Sequence, residues 1–129
     1  MTRLLGITGV LALFCMTAVY AVPARPAAQA AQAPASKESI TNGAALFKRH
    51  CQVCHGAAGL GDGPASKTLK GKLPDFTNKA AMTDIADDEI LEAIEMGRKT
   101  TVGTMPPFEQ KMKPEEIHDV MNFVRSLAK

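Results

Sequence analysis

Cys51-Gln52-Val53-Cys54-His55 is the stretch of this 129-residue chain that decides its fold. The spacing is C-x-x-C-H, in which two thiols three positions apart can add across the two vinyl groups of one porphyrin. The imidazole of the next residue, His55, can then bind the iron. The pattern predicts one haem c, covalently attached through Cys51 and Cys54, with His55 as its proximal ligand.

Two other kinds of site also use paired cysteines. A C-x-x-C redox pair is expected near a βαβ pattern, and the sequence shows no such pattern. A zinc site needs further Cys or His ligands at finger-like spacing. The only other cysteine, Cys15, lies in an N-terminal apolar segment. The sequence therefore favours haem attachment over zinc binding and dithiol chemistry.

Residues 1–21 have the features of a signal peptide. A short basic start precedes an apolar run over residues 4–21, and Val19 and Ala21 suit the −3 and −1 positions of a cleavage site. A second candidate cleavage site lies near residue 30. An uncleaved membrane anchor is the alternative, because the apolar run lies at the lower edge of bilayer-spanning length. We expect export to the periplasm, with tethering by this segment as the alternative.

The rest of the chain divides into a linker and one domain. Ala, Pro and Gln dominate residues 22–38, which we expect to be a linker, and the folded domain then covers residues 39–129. Apolar spacing predicts three helices: about Ser39 to His50, about Asp88 to Met96 with Asp87 as N-cap, and Pro114 to the end. Residues 56–64 are predicted to be a loop, and no strand alternation is visible. The predicted fold class is all-α, with three main helices and long loops wrapped around one covalently attached haem.

Charge is nearly balanced but unevenly distributed. Fifteen Lys+Arg against 13 Asp+Glu give a formal net charge of +2, which does not indicate nucleic-acid binding. Six basic residues form what we call the basic rim: Lys48, Arg49, Lys67, Lys70, Lys72 and Lys79. Six acidic residues follow: Asp84, Asp87, Asp88, Glu89, Glu92 and Glu95. The acids are expected to form a solvated helix face, and the basic rim is a candidate for steering an acidic redox partner.

The sixth iron ligand decides the chemistry of a haem. Seven side chains offer a sulfur or a nitrogen: Met82, Met96, Met105, Met112, Met121, His50 and His118. Met105 is favoured, because Pro106 pushes it into an extended conformation and a second proline stiffens the loop. Met96 and Met121 are expected to pack on helices. Met82 and Met112, which we expect in loops, stay open as alternatives.

Several motifs together resemble a bacterial class I cytochrome c. They occur in the family's order: Phe47…Cys51-Gln52-Val53-Cys54-His55-Gly56, Gly61-Asp62-Gly63-Pro64-Ala65, Pro74-Asp75-Phe76, Met105-Pro106-Pro107-Phe108, and Val120…Phe123-Val124-Arg125-Ser126-Leu127. The resemblance covers about residues 39–129. It implies the class I cytochrome c fold, with one haem c and axial ligation by His55 and Met105.

The resemblance also implies roles around the haem. The Pro64 carbonyl would accept the Nδ1 proton of His55, which orients the imidazole and raises its basicity. Phe76 and Phe108 would line the haem crevice.

Two further expectations concern the helices. Gly43 would let the first and last helices cross closely, with Phe47 and Phe123 packed at the crossing. Lys113 departs from the Ser or Thr cap common in the family, so we expect a slightly frayed start to the last helix.

We therefore expect an exported, monomeric electron carrier that is not an enzyme. Its partners would be redox proteins, with a membrane oxidoreductase or a terminal oxidase as candidates; neither nucleic acid nor a small-molecule substrate is expected. A tethered electron-transfer subunit of a larger membrane oxidoreductase is one alternative. A haem protein with an open iron site, which binds ligands or acts on peroxide, is the other.

Overall fold

The computed structural model describes residues 35–129. The predictions for the signal peptide, its cleavage sites and the linker up to residue 34 lie outside the described residues. The elements follow in the order α1 (Lys37–His50), α2 (Gln52–His55), a 3-10 helix (Pro64–Thr68), α3 (Lys79–Thr83), α4 (Asp87–Glu95), β1 (Arg98–Lys99), β2 (Thr104–Met105) and α5 (Pro114–Leu127). Between residues 35 and 129, no helix has both the length and the apolar character needed to cross a membrane.

Helix α1 begins earlier than predicted. The Ser36 hydroxyl accepts a hydrogen bond from the Ser39 N–H at 3.0 Å, so Ser36 is the N-cap and the helix starts at Lys37. The predicted linker therefore ends before Ser36 rather than at residue 38. Lys48, Arg49 and His50 occupy the last turn, where positive charge complements the helix dipole.

The crossing of α1 and α5 is the main helix contact of the fold. A Cβ atom at Gly43 would overlap the backbone carbonyl of Asp119 and lie 2.9 Å from Cβ of Phe123, so only glycine permits this approach. The rings of Phe47 and Phe123 pack beside it, with centroids 5.2 Å apart. The Ser39 hydroxyl donates to the Asp119 carboxylate at 2.5 Å. The predicted helix crossing is confirmed.

The hydrophobic core forms between these helices and the loops they carry. Its buried side chains are Leu46, Phe47, Cys51, Met82, Ile94, Phe108, Met112, Ile117, Val120, Met121 and Val124. In α5, Ile117, Val120, Met121 and Val124 are buried and form an apolar stripe with helical spacing. A cysteine of the C-x-x-C-H motif is thus part of the core rather than of the surface.

The start of α4 differs from the prediction. The helix begins at Asp87, and the residue before it, Ala86, has no side chain that can cap. Instead the Glu89 carboxylate accepts the Ala86 N–H at 3.1 Å, which satisfies one of the free donors at the helix end. Asp87 is therefore not the N-cap that the sequence predicts.

Asp87 is instead engaged by α5. The Arg125 Nε donates to its carboxylate at 2.5 Å, and the same guanidinium donates to the carbonyls of Met82 and Ile85. One side chain of α5 thus holds both the end of α3 and the start of α4. Met82 lies in α3, with 2% of its surface exposed, and not in a loop as predicted.

The connection after α4 contains a short antiparallel strand pair that the sequence does not reveal. Arg98 pairs with Met105, and Lys99 pairs with Thr104. Helix α4 ends before Gly97, which adopts a φ of +73°, a conformation typical of the glycine that ends a helix. Two-residue strands are too short to show alternation, so no sequence pattern could have predicted them.

The start of α5 is held by its own first turn. The Glu116 carboxylate accepts the Lys113 N–H at 2.8 Å, and Pro114 occupies the first helical position. This bond is one half of a capping box, and the other half, in which a Ser or Thr side chain would accept the Glu116 N–H, is absent at Lys113. The expected fraying therefore has a counteracting contact.

Candidate functional site

The C-x-x-C-H motif lies where α1 runs into α2. The Cys51 N–H donates to the Phe47 carbonyl at 2.8 Å, which continues the α1 hydrogen-bond pattern into the motif. The Cys51 carbonyl in turn accepts from Cys54 N–H at 3.1 Å and from His55 N–H at 3.0 Å. Residues three apart in such a turn share one side of the helix, so both thiols face the same way.

The two thiols differ in exposure. Cys51 is buried, Cys54 is half-buried, and both are free. Burial raises the pKa of the Cys51 thiol to about 11, and the nearby Cys54 adds to the rise. Cys51 is therefore a neutral thiol near pH 7 in this folded structure.

The His55 imidazole lies in an aromatic environment. Its ring stacks on Phe76, with centroids 4.9 Å apart and planes inclined by 21°, and Phe47 lies 6.4 Å away. Burial lowers the pKa of His55, which favours the neutral ring. A neutral imidazole is the form that binds metal.

The predicted hydrogen bond from His55 to Pro64 does not form in this structure. Nδ1 of His55 is buried without a hydrogen-bond partner. Pro64 is the first residue of the 3-10 helix, where carbonyls bond to N–H groups three residues on. The 3-10 helix nevertheless packs against α2, which keeps Pro64 beside the motif. Its role as acceptor stays a prediction.

These residues fit covalent haem c. Two free thiols lie one helical turn apart, beside a neutral imidazole that has a buried nitrogen without a partner. A buried nitrogen without a hydrogen-bond partner costs free energy. In a metal-binding histidine, one ring nitrogen binds the metal and the other donates a hydrogen bond. The donor set therefore matches the attachment and proximal ligation that the spacing predicts.

The loop after the motif folds back onto α2. Gly61 N–H donates to the His55 carbonyl at 2.8 Å, and Gly63 N–H donates to the Cys54 carbonyl at 3.1 Å. Phe76 N–H donates to the Gly59 carbonyl at 2.8 Å, which holds the Phe76 ring beside His55. The predicted loop thus surrounds the motif helix and presents one of the two predicted crevice residues.

Met105 approaches the core from a different part of the chain. It lies in β2 with the extended backbone that Pro106 predicts, and its half-buried side chain packs against the core cluster that contains Cys51. Phe108 is buried in that cluster. Its N–H donates to the carbonyls of Ile94 at 3.0 Å and Glu95 at 3.2 Å. The end of α4 therefore anchors the segment that carries Met105.

The other candidate ligands occupy varied environments. Met112 lies in a loop as predicted and is buried in the core, and Met121 is buried in α5. Met96 is 61% exposed, so the prediction that it packs is wrong. His118 is exposed, and His50 is half-buried with its ring 6.1 Å from that of Phe108.

The charged groups separate into two kinds. All six residues of the basic rim are exposed or half-buried at the surface. Two of the six acids have structural partners, since Asp87 pairs with Arg125 and Glu89 accepts the Ala86 N–H. The prediction of a solvated helix face describes the exposed remainder of α4.

Comparisons with known proteins agree with this site. A family model described as cytochrome c matches residues 40–128. The chain is 35% identical to cytochrome c6 of Anabaena variabilis over 89 residues, which cover 67% of this chain and 90% of the relative. It is 34% identical to cytochrome c6 of Gloeothece citriformis over 96 residues, 74% of this chain and 77% of the relative. The solved structure described as KustC0563 c-type cytochrome gives a TM-score of 0.54 at 27% identity, over 67% of this chain and 98% of that one.

Proposed function

The chain belongs to the cytochrome c family, and on that premise we propose that it is an exported electron carrier whose single iron is ligated by His55 and Met105. It is an electron-transfer protein that binds haem c covalently through Cys51 and Cys54. The haem supplies one-electron exchange between ferric and ferrous iron. The chain's own residues hold it, exclude water and fix the axial ligands.

One observation carries the proposed ligation. Met105 is half-buried against the same core cluster that contains Cys51, and its backbone is extended by Pro106 and paired with Arg98. A thioether on such a restrained segment would change position little between oxidation states. This keeps the reorganisation on electron transfer small, which suits a carrier.

The surroundings of the site support a raised reduction potential. Phe108 is buried, and Phe76 stacks on the neutral His55 ring. Met and His ligation in an apolar crevice favours the less charged ferrous state. We propose that both phenylalanine rings line that crevice and exclude water.

The basic rim is the proposed docking surface for an acidic redox protein. Next to the motif, a cavity of about 390 Å³ is lined in part by Lys48, Arg49 and Val53, and Val53 is 52% exposed. An apolar centre with charged edges suits a transient complex in which charge guides the encounter. A membrane oxidoreductase or a terminal oxidase is the proposed partner, and monomer the proposed state.

Periplasmic localisation is proposed from the signal-peptide features of residues 1–21. The mass of the mature protein tests it. A mass without these residues supports export and cleavage, whereas their retention favours a tethered subunit of a larger oxidoreductase.

The axial ligation is tested by visible spectroscopy of the matured protein. The ferric parent should show a thioether-to-iron charge-transfer band, and its ferrous form should not bind carbon monoxide. Met105→Ala should lose the band and bind carbon monoxide, because the sixth position opens. Met96→Ala is the matched control, since that side chain is exposed, and it should behave as the parent. A parent that binds carbon monoxide readily would overturn the ligation and favour the open-site alternative.

A further inference from the structure

We propose that Gly97 is a positioning residue that sets the place of the Met105 thioether. The inference rests on the proposed ligation by Met105 and adds the residue that controls it. Gly97 contributes no ligand and touches no substrate. It acts by allowing the backbone of the Met105 segment to lie directly on the end of α4.

Gly97 meets this segment backbone to backbone. A Cβ atom at residue 97 would lie 2.5 Å from the Met105 carbonyl oxygen, 2.8 Å from the Pro107 nitrogen and 2.9 Å from the Pro106 carbonyl carbon. Real Cβ atoms do not approach backbone this closely, so any side chain would displace Met105 or its neighbours. The residue also has a φ of +73°, which favours glycine. Two independent constraints therefore require glycine at this position.

Other contacts hold the same segment on both sides of this point. Met105 pairs with Arg98, the residue that follows Gly97. Further along, Phe108 N–H donates to the carbonyls of Ile94 and Glu95, and Glu109 N–H donates to the Glu95 carbonyl at 3.2 Å. Residues 105–109 are thus held at both ends, with Gly97 between them.

A displacement at Gly97 would be transmitted to the thioether. The two prolines that follow Met105 have fixed φ angles, so the segment has few torsions with which to absorb a shift. Because Phe108 is buried, the far end of the segment cannot move freely. A methyl group at residue 97 is therefore expected to move Met105 relative to the core, which lengthens and weakens the thioether-to-iron bond.

The test uses the matured haem protein with Gly97→Ala. We expect covalent haem content equal to that of the parent, because the attachment motif is untouched. The ferric charge-transfer band should weaken or vanish. Added imidazole should bind the ferric form at least about tenfold more tightly, because it competes for the sixth position with a thioether whose bond is weaker by about 1.4 kcal/mol or more. A variant with the parent's band and imidazole affinity would overturn the proposal.

Two glycine variants serve as controls, because they distinguish a displacement of Met105 from a general loss of stability. Gly71→Ala meets only the Val102 side chain, at 3.1 Å, and should keep the parent's band and imidazole affinity. A Cβ atom at Gly43 would overlap the Asp119 carbonyl, so Gly43→Ala introduces a backbone clash at the crossing of α1 and α5 instead of at the Met105 segment. It should lower stability and yet retain the band. Loss of the band in Gly43→Ala as well as in Gly97→Ala would overturn a specific role for Gly97.

Gly97→Asn keeps the proposal testable if Gly97→Ala fails to mature. Asparagine tolerates positive φ better than alanine but carries the same Cβ atom, so it preserves the helix end and keeps the clash. Retention of the band in Gly97→Asn would overturn the inference. Met105→Ala, measured in parallel, tests the ligation separately. If it leaves the parent's band unchanged, the proposed ligation fails, and the positioning role of Gly97 fails with it.

Discussion

The attachment motif and the segment that carries the proposed ligand Met105 are built in different ways. On the attachment side, which we define as residues 37–76, the motif itself is held by local contacts: α1 runs into α2, and the following loop bonds back to the Cys54 and His55 carbonyls. The Met105 side, residues 94–109, depends on contacts between a strand pair, the end of α4 and the core. Its strands are only two residues long each.

This difference gives the two regions different tolerance to local opening. The attachment side carries the covalent bonds, so it tolerates local opening without losing haem. The Met105 side holds a single thioether through contacts that must all be in place. Regions with short elements and few local hydrogen bonds open at lower free energy than packed helices. We expect changes on the Met105 side to alter the iron spectrum before they alter the fold.

The largest expected effect comes from removing both thioether links. In Cys51→Ser/Cys54→Ser, haem should no longer remain with the chain on a denaturing gel, and helical circular dichroism should fall sharply. A domain of this size buries little surface without its prosthetic group. Met105→Ala should keep its haem on the same gel. Haem retained by the double variant would contradict the assignment of the attachment side.

The helix crossing that supports the attachment side should be the next most sensitive feature. Gly43→Ala forces α1 away from the Asp119 carbonyl and Phe123, so we expect a loss of about 1–3 kcal/mol in the free energy of unfolding. Guanidinium titration of the holoprotein measures it. Gly71→Ala should change the unfolding free energy by less than about 0.5 kcal/mol. Equal losses in the two variants would show that the crossing is not a special contact.

Arg125 connects α5 to the helix that leads into the Met105 side. Arg125→Met removes one ion pair and two bonds to carbonyls, and should lower the unfolding free energy by about 1–2 kcal/mol. Asp87→Asn removes only the charge of a partly exposed pair and should cost less than about 1 kcal/mol. A larger loss in Asp87→Asn than in Arg125→Met would contradict the importance of the carbonyl contacts.

The smallest predicted effect concerns the turn that begins at Asp75, beside Phe76. Bonds from the Thr77 hydroxyl and N–H hold the pKa of Asp75 below its ordinary value. This carboxylate therefore adds stability above its unfolded pKa, and that stability is lost as pH falls through the lower folded value. Thr77→Val should raise the pKa of Asp75, as followed by NMR titration. The control is Thr83→Val, which should leave the pKa of Asp75 unchanged, because the Thr83 hydroxyl donates to the Lys79 carbonyl.

Sequence reasoning succeeds where structure is local. The C-x-x-C-H spacing and the extended Met105 before Pro106 each follow from a few neighbouring residues. The Gly43 crossing joins distant parts of the chain, and its prediction follows from the family resemblance. Sequence also predicts the apolar stripe of α5, because helical periodicity extends over the whole element.

The failures have two sources. Asp87 has the sequence features of a helix cap, but Arg125 of α5, a distant part of the chain, engages its carboxylate. The sequence predicts Met82 in a loop, although α3 begins at Lys79 with Asn78 as its cap. Helical spacing predicts that Met96 packs, yet it is exposed, because it follows the last residue of α4. The first outcome is not encoded within a short window of sequence, whereas the other two depend on local helix ends that the prediction misplaced.

The α1–α5 crossing has a consequence for the order of events in biosynthesis. Every proposed haem-binding residue lies between these two helices, and α5 is synthesised after all the other described elements. Their contact closes a long loop, so it cannot form until α5 has emerged. Until then Cys51 lacks its final burial. The Cys51 thiol is therefore more accessible before α5 packs against α1 than after, and the folding of α5, rather than its synthesis, ends that interval.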